Sequence, residues 1–255
     1  MDLNKQALHL LKPKNILMET LKQKHVLIAG ATGAIGSHTA KLLAASGARL
    51  FLTGRNAEKL KAVAISCNVA AENTFVANLT LAGSVDQLFE QYMEQMPVID
   101  TLILASGTGI IKPFEQLTEA DFMASFQANL FAPFLMLKKF LPIMKTAGSG
   151  HIIYIPGVLG KVPMAGAAAY SASKYGLVGM MQSIREEVKR TPIRLTSLVL
   201  GGTDSGFWDA IDLKVQREKM LNAEEVARAI WFLCQQPISG VAGELVLQPF
   251  NHQAV

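Results

Sequence analysis

Lys24-His25-Val26-Leu27-Ile28-Ala29-Gly30-Ala31-Thr32-Gly33-Ala34-Ile35-Gly36 is the stretch that decides the fold. The run from Lys24 to Ala29 is short, apolar and partly β-branched, and it stops at Gly30. A helical pattern then runs from Ile35 to Ser46 and stops at Gly47. Glycines between a strand and a helix allow a tight turn and let the backbone approach a pyrophosphate. The helix N-terminus adds unpaired N–H groups and the positive end of its dipole. A glycine triplet alone is weak evidence. Placed after the first strand and opening the first helix, it reads as a dinucleotide-binding turn.

Working outward, strand-like and helix-like segments alternate. Strands are predicted at Ala48–Thr53, Thr74–Ala77, Asp100–Ala105, His151–Ile155, Ile193–Leu200 and Glu244–Leu247. Helices are predicted at Ala57–Cys67, Ser84–Gln95, Glu119–Lys145, Ala168–Lys189 and Ala223–Gln235, with Pro133 and Pro142 kinking or ending parts of the longest. The strands are nearly all apolar rather than alternating, as parallel strands covered on both faces must be. The pattern predicts an α/β fold of the Rossmann type, a doubly wound parallel sheet of about seven strands with helices on both faces. No linker, repeat or low-complexity tract divides it. We read one domain over 24–255 that includes the substrate pocket, with residues 1–23 as an N-terminal arm.

Composition bounds the rest. Of 255 residues, 50% are hydrophobic and only 17% charged, against about 25% charged in an average globular domain. That excludes disorder and predicts a large core with apolar surface left over to bury in an oligomer. The net charge of +4 comes with no run of basic residues, so nucleic acid is not an expected partner. The most apolar stretch, Phe122–Leu137, contains Ser125, Gln127, Asn129 and Pro133 and is shorter than the ~20 residues of a membrane span. Met1–Gln23 carries Lys5, Lys12, Lys14 and Lys22 and has no unbroken apolar segment of the signal-peptide kind. Cys67 and Cys234 stand far apart and outside any metal-binding pattern, which predicts buried free thiols and a reducing compartment. The five histidines form no ligand pair, so no metal is expected. The expected location is the cytoplasm.

Two further sites carry chemistry. At the end of the second strand, Leu52-Thr53-Gly54-Arg55-Asn56 has no acid to accept from a ribose 2′-hydroxyl. Arg55 instead suits a 2′-phosphate, which favours NADP(H) over NAD(H). The sequence Tyr170-Ser171-Ala172-Ser173-Lys174 opens a helix and puts Tyr170 and Lys174 on one face. An amine beside a phenol favours the phenolate and lowers a pKa of about 10. Such a phenol passes a proton to a carbonyl oxygen while hydride arrives from a nicotinamide. The spacing is common by chance; its weight comes from its place after the fifth strand.

With these residues in view, the chain from Lys24 to Gln248 resembles the short-chain dehydrogenase/reductase superfamily. The glycine turn matches at Gly30, Thr32, Gly33, Ile35 and Gly36, and the tyrosine–lysine motif at Tyr170 and Lys174. The family's helix asparagine matches Asn129, where members hold a water that relays protons through the lysine. Glu244–Pro249 is similar to the last strand. The resemblance implies further cofactor contacts at Asn78, Leu79, Ser106, Gly107, Gly201 and Ser205. It also implies the strand order 3-2-1-4-5-6-7 and homodimers or homotetramers, built through the helices near 119–145 and 168–189 and often through the last helix and strand.

The departures from the family pattern carry weight too. Ala29 and Ala34 replace a Thr and a Gly of the turn, Asn78 replaces an Asp, and Leu104-Ala105-Ser106-Gly107 replaces Asn-Asn-Ala-Gly. After strand six, Leu200 replaces a Pro and Ser205 a Thr. The catalytic serine lies thirteen residues before the tyrosine, which is Gly157 here. Losing one such donor costs ~2.7–4 kcal/mol. Ser106, Thr108 and Tyr154 are the candidates to replace it. Gly206–Asn222 spans the substrate lid, where Phe207, Trp208, Ile211 and Leu213 suggest an apolar wall and a fairly open pocket, or ordinary packing.

The expected function is that of an NADP(H)-dependent oxidoreductase interconverting a small carbonyl compound and its alcohol. Tyr170 is the general acid/base, Lys174 tunes it and binds the nicotinamide ribose, and Asn129 positions the relay water. The gap at Gly157 predicts weak activity on simple carbonyls, or a substrate that brings its own hydroxyl. The alternatives are a catalytically weakened NADP(H)-binding sensor or scaffold, and non-redox chemistry such as dehydration or epimerisation on the same scaffold.

Overall fold

Strand β1 (His25–Ala29) is apolar on both faces, and the fold answers by burying both. Val26 and Ile28 face one core, Leu27 and Ala29 the other, and all four are fully buried. The structure, a computed structural model, describes residues 20–252 and 255. Most of the expected arm, residues 1–19, lies outside the described residues. At its near end Leu21 is buried and the Gln23 N–H donates to the Gly47 carbonyl at 3.1 Å.

The other described strands are β2 (Arg49–Gly54), β3 (Thr74–Val76), β4 (Thr101–Leu104), β5 (Gly150–Tyr154), β6 (Ile193–Leu200) and β7 (Glu244–Leu247). They form one sheet in the order β3-β2-β1-β4-β5-β6-β7, as the resemblance implied, and every pairing is parallel. Ala29 lies level with Thr53 and Leu104, and Leu104 with Tyr154. The carboxyl ends of the central strands therefore open together at the β1/β4 reversal, where ligands of such sheets bind.

Helices α1 (Ala34–Ala45), α2 (Ala57–Ser66) and α7 (Ala223–Cys234) cover one face. There Leu43, Leu60, Val226 and Ile230 pack on the sheet. The Trp231 Nε1–H donates to Ser46 Oγ at 2.7 Å and ties α7 to the end of α1. The opposite face carries α3 (Ala82–Gln95), α5 (Ala132–Ala147) and α6 (Ala168–Val188). Tyr92 sits fully buried at its centre, edge-on to Phe51 and Phe140 at 5.2 and 5.1 Å. Its hydroxyl donates to the Val98 carbonyl at 2.8 Å, so the ring brings no unpaired polar atom into the core. Cys67 and Cys234 are buried and free.

One expected helix is divided. The Glu119–Lys145 pattern folds as α4 (Glu119–Phe126), a π turn at Gln127–Phe131, and α5. Thr118 and Asp121 cap α4 reciprocally. Pro133 lies at the start of α5, directly after the π turn. Pro142 is accommodated inside α5. The break falls ahead of both prolines, at the turn that carries Asn129. Among the described residues no helix is long and apolar enough to cross a membrane, and no group of three or more His, Cys, Asp or Glu could hold a metal ion.

Candidate active site

The glycine turn is built by close approach. Gly30 has φ +91°, and a Cβ there would stand 2.7 Å from the Ser106 nitrogen. A Cβ on Gly36 would stand 2.2 Å from the Gly30 carbonyl oxygen. Gly33 precedes α1, and neither a capping side chain nor a first-turn acid satisfies that helix end. The first-turn N–H groups of Ala34, Ile35 and Gly36 lack intrahelical partners. A rigid glycine frame with open donors at a positive helix end fits the pyrophosphate of a dinucleotide.

The Thr32 side chain packs over the end of β2, where a Cβ on Gly54 would meet its Cγ2 at 2.6 Å. Arg55 follows, exposed and without an ion pair among the described residues. Asn56 is committed to α2, where its side chain accepts from the Lys59 N–H at 2.8 Å. Asn78 is exposed, and its Oδ1 already accepts from the Thr80 N–H and hydroxyl at 3.2 and 2.8 Å. The Leu79 side chain belongs to the core, so only its backbone is open to a ligand. Gly201 packs against Pro249. The Ser205 hydroxyl accepts from the Phe207 N–H at 3.3 Å and caps the 3-10 turn Gly206–Ala210.

Asn129, Tyr170 and Lys174 come together. Asn129 is 1% exposed, and its carboxamide is held on both sides. Oδ1 accepts from the Thr108 N–H at 2.9 Å; Nδ2 donates to the Thr108 carbonyl at 2.9 Å and to Ser173 Oγ at 3.0 Å. Ser173 in turn donates to the Tyr170 carbonyl at 2.7 Å. It therefore locks Asn129 to α6, a role hidden in the sequence, where it reads as a spacer between Tyr170 and Lys174. A Cβ on Gly107 would stand 2.8 Å from Asn129 Oδ1 and 3.4 Å from Lys174 Nζ, so this glycine keeps their common space open.

The electrostatics correct one expectation. Lys174 Nζ lies 5.6 Å from the Tyr170 ring centroid and donates to the Ile155 carbonyl at 2.9 Å. Burial pulls its pKa down to about 8. Burial pushes the Tyr170 phenol up from its ordinary value rather than down. In the protein alone, desolvation outweighs the cation that spacing put on the same face.

Gly157 lies beside Tyr170. A Cβ there would be 3.8 Å from Tyr170 Oη and 3.9 Å from the Leu200 carbonyl oxygen, with no Ser106, Thr108 or Tyr154 atom within 4 Å. Tyr154 is excluded more firmly, since it is 1% exposed in the core and bonded to Ser197. The backbone at Gly157, φ +70° and ψ 169°, is a conformation that side chains rarely adopt.

Phe207, Trp208 and Ile211 pack in one apolar cluster, and Phe207 lies against Tyr170. Phe207 packs on Tyr170 at 5.7 Å and meets Trp208 edge-on at 5.1 Å. Trp208 Nε1–H donates to the Thr203 carbonyl at 2.9 Å. Ile211 is buried with Ile111 and Ala167, whereas Leu213 is 45% exposed and outside this cluster. Arg217 pairs with Asp209 and, at 3.7 Å, with Asp204.

The comparisons with known proteins agree with this geometry. An uncharacterized oxidoreductase of Staphylococcus epidermidis is 26% identical and aligns over 91% of this chain and 100% of its own. A 3-oxoacyl-(acyl-carrier-protein) reductase of Rickettsia felis is 29% identical over 90% of this chain and 96% of its own. A metagenomic short-chain oxidoreductase, solved in complex with NADP, is 29% identical. It superposes with a TM-score of 0.78 over 91% of this chain and 99% of its own. The family model for short chain dehydrogenases matches residues 24–216, from the first strand through the glycine turn and the tyrosine–lysine helix to the lid. The chain belongs to the short chain dehydrogenase family.

Proposed function

We propose that the protein is an NADP(H)-dependent oxidoreductase that interconverts a carbonyl and an alcohol, with Tyr170 as the general acid/base. The observation that carries this reading is that Asn129, Ser173 and Lys174 are buried beside Tyr170 at the open ends of the central strands, with Asn129 bonded to Ser173 and Lys174 to the Ile155 carbonyl. Packing alone does not call for a phenol, an amine and a carboxamide at one place. The cofactor, when bound, supplies or accepts the hydride. The first-turn N–H groups of α1 receive its pyrophosphate, and Arg55 its 2′-phosphate. The relative solved with NADP supports that choice of cofactor.

At pH 7 an amine with a pKa of about 8 is largely charged, and Lys174 is placed to hold the nicotinamide ribose. The raised Tyr170 keeps its proton, so carbonyl reduction is the direction that uses the proton already there. Asn129 Oδ1 keeps one lone pair beside Gly107 for a water that passes protons to Lys174.

Exposed aromatics support self-association. Phe122, Phe131 and Phe134 project from α4, the π turn and α5, and Phe232 and Phe250 from the other end of the sheet. We read these faces as the contacts of a homodimer or homotetramer.

The test is NADPH oxidation over a panel of ketones, aldehydes, quinones and keto-esters, with NADPH binding measured on the same samples. Tyr170→Phe is expected to lose ~10²–10⁴ in rate while still binding NADPH, the range for a positioned acid/base. The unfilled donor position at Gly157 supports a second reading, an NADP(H)-binding sensor or scaffold with little turnover. Tight NADPH binding without oxidation of any panel member is its expected signature.

A further inference from the structure

The Phe207 ring is held on three sides. Tyr170 lies 5.7 Å away on one, and Trp208 meets it edge-on at 5.1 Å on another. On the third, the ring tip occupies the side-chain space of Gly109, where a Cβ would stand 2.1 Å from Cζ and 2.4 Å from Cε2. Gly109 is not among the described residues with positive φ. Its backbone therefore does not demand glycine; the aromatic ring does.

The surroundings of the ring are apolar. Ile111, Ala167 and Ile211 are buried, and Leu159 and Trp208 are packed against them. Three cations of the surrounding segments are engaged. Lys112 pairs with Asp121 at 2.6 Å, and Arg217 with Asp204 and Asp209. Lys174 donates to the Ile155 carbonyl and is needed at the ribose. A substrate carboxylate or phosphate packed against this ring would lose water among apolar side chains, which is unfavourable.

Resting on the oxidoreductase reading above, we infer that Phe207 is the specificity-determining wall of the carbonyl site, and that the substrate is an uncharged carbonyl compound with an apolar flank packed against this ring. Gly109 sets how deep the ring sits, and so the size of flank that fits.

Three probes and two variants test this. The probes are ethyl benzoylformate, benzoylformate and butyrophenone. The variants are Phe207→Ala, which removes the wall, and Gly109→Ala, whose added methyl displaces the far end of the ring without straining the backbone. Wild type is expected to favour the neutral ester over the acid in kcat/KM by about tenfold or more. Phe207→Ala is expected to lower kcat/KM for butyrophenone by about tenfold or more, mainly through KM, and Gly109→Ala to change the ratio of kcat/KM between butyrophenone and the bulkier ester by a similar factor, since one methylene in an apolar pocket is worth about 10–200-fold. NADPH affinity should not change.

Preference for the acid, or an unchanged ranking in both folded variants, overturns the inference. Trp208 supplies a readout free of turnover, with Trp231→Phe as the background that isolates its fluorescence. Butyrophenone should quench Trp208, and Phe207→Ala should weaken that binding. Quenching that depends on Phe207 without NADPH oxidation would keep the wall and remove the oxidoreductase reading. Oxidation with neither quenching nor a change in ranking would remove the wall alone. Neither oxidation nor quenching would remove both.

Discussion

Replacing Gly157 with serine sets two effects of opposite sign against each other, and the structure gives a size to each. The backbone there holds φ +70° and ψ 169°. A side chain in so sparsely populated a region costs ~1–3 kcal/mol. For a domain of this size that lowers Tm by roughly 2–12 °C, at about 2–4 °C per kcal/mol. Space is not the obstacle, because the Cβ would meet only Tyr170 Oη at 3.8 Å and the Leu200 carbonyl oxygen at 3.9 Å. The hydroxyl would stand beside the phenol, where the proposed carbonyl oxygen gains charge. One donor so placed is worth ~2.7–4 kcal/mol, or 10²–10³ in rate. Gly157→Ala carries the same strain without the donor. The assays are thermal denaturation and kcat on one reducible carbonyl, for wild type and both variants. The expected result is equal losses of Tm in the two variants, with the serine variant exceeding the alanine variant in kcat by ~10²–10³. Equal turnover in the two variants would refute the reasoning, because the carbonyl would then already have its donor from another source.

Arg55→Ala is expected to weaken NADPH binding by about 10- to 150-fold and leave NADH binding unchanged, since a hydrogen bond to a charged group is worth ~1.5–3 kcal/mol. Fluorescence titration checks it, and equal losses for both cofactors would remove Arg55 from the 2′-phosphate. Asn129→Ala leaves the Thr108 N–H and carbonyl and the Ser173 hydroxyl without a shared partner. It should lower Tm and turnover together, at ~1–3 kcal/mol for each buried group left unpaired. His151, 2% exposed and bonded to Thr196 at 2.8 Å, has its pKa lowered to about 3 by burial and then by Arg194. The unfolded chain takes up this proton near pH 6.5 and the folded chain does not. The histidine's contribution to stability is thus complete above pH 6.5 and declines as pH falls toward 3, by ~2 kcal/mol at pH 5. His151→Gln should flatten the urea-unfolding stability profile between pH 6.5 and 5 by that amount, and an unchanged slope would mean the ring is already protonated in the fold.

The central strands were legible because burial on both faces leaves one signal, an unbroken apolar run. Lys24–Ala29 in the sequence became His25–Ala29 in the sheet for that reason. The glycine turn was legible because close approach admits no other residue at Gly30 or Gly36. What escaped depends on contacts between distant segments. The break before α5 follows Asn129, which is bonded to Thr108 and Ser173, whereas the visible helix breakers were Pro133 and Pro142. The i, i+4 spacing put Tyr170 and Lys174 on one face but carried no information on burial, so the direction of the Tyr170 shift was missed. Phe207 was visible as an aromatic of the lid. Its seat against Gly109 was not, because 98 residues separate them in the sequence.

Two glycines near Tyr170 are there for different reasons, and the difference bears on how a substrate is held. Gly157 is fixed by its backbone: no side chain sits easily at φ +70°, so placing a hydroxyl there is not a simple addition. Gly109 is fixed by space, because it seats the Phe207 ring against Tyr170. On the proposed reading these features are complementary. A hydroxyl at position 157 would orient a carbonyl by a directed bond. An aromatic wall 5.7 Å from the phenol orients it by shape instead. Shape discriminates among flanking groups but adds no hydrogen bond to the carbonyl oxygen as charge develops there. Such a site should be selective for the neutral group that fits the wall and slow on carbonyls too small to touch it. In Phe207→Ala that selectivity should fall for every substrate, while Gly157→Ser should raise kcat most for the smallest ones, which take least orientation from the wall.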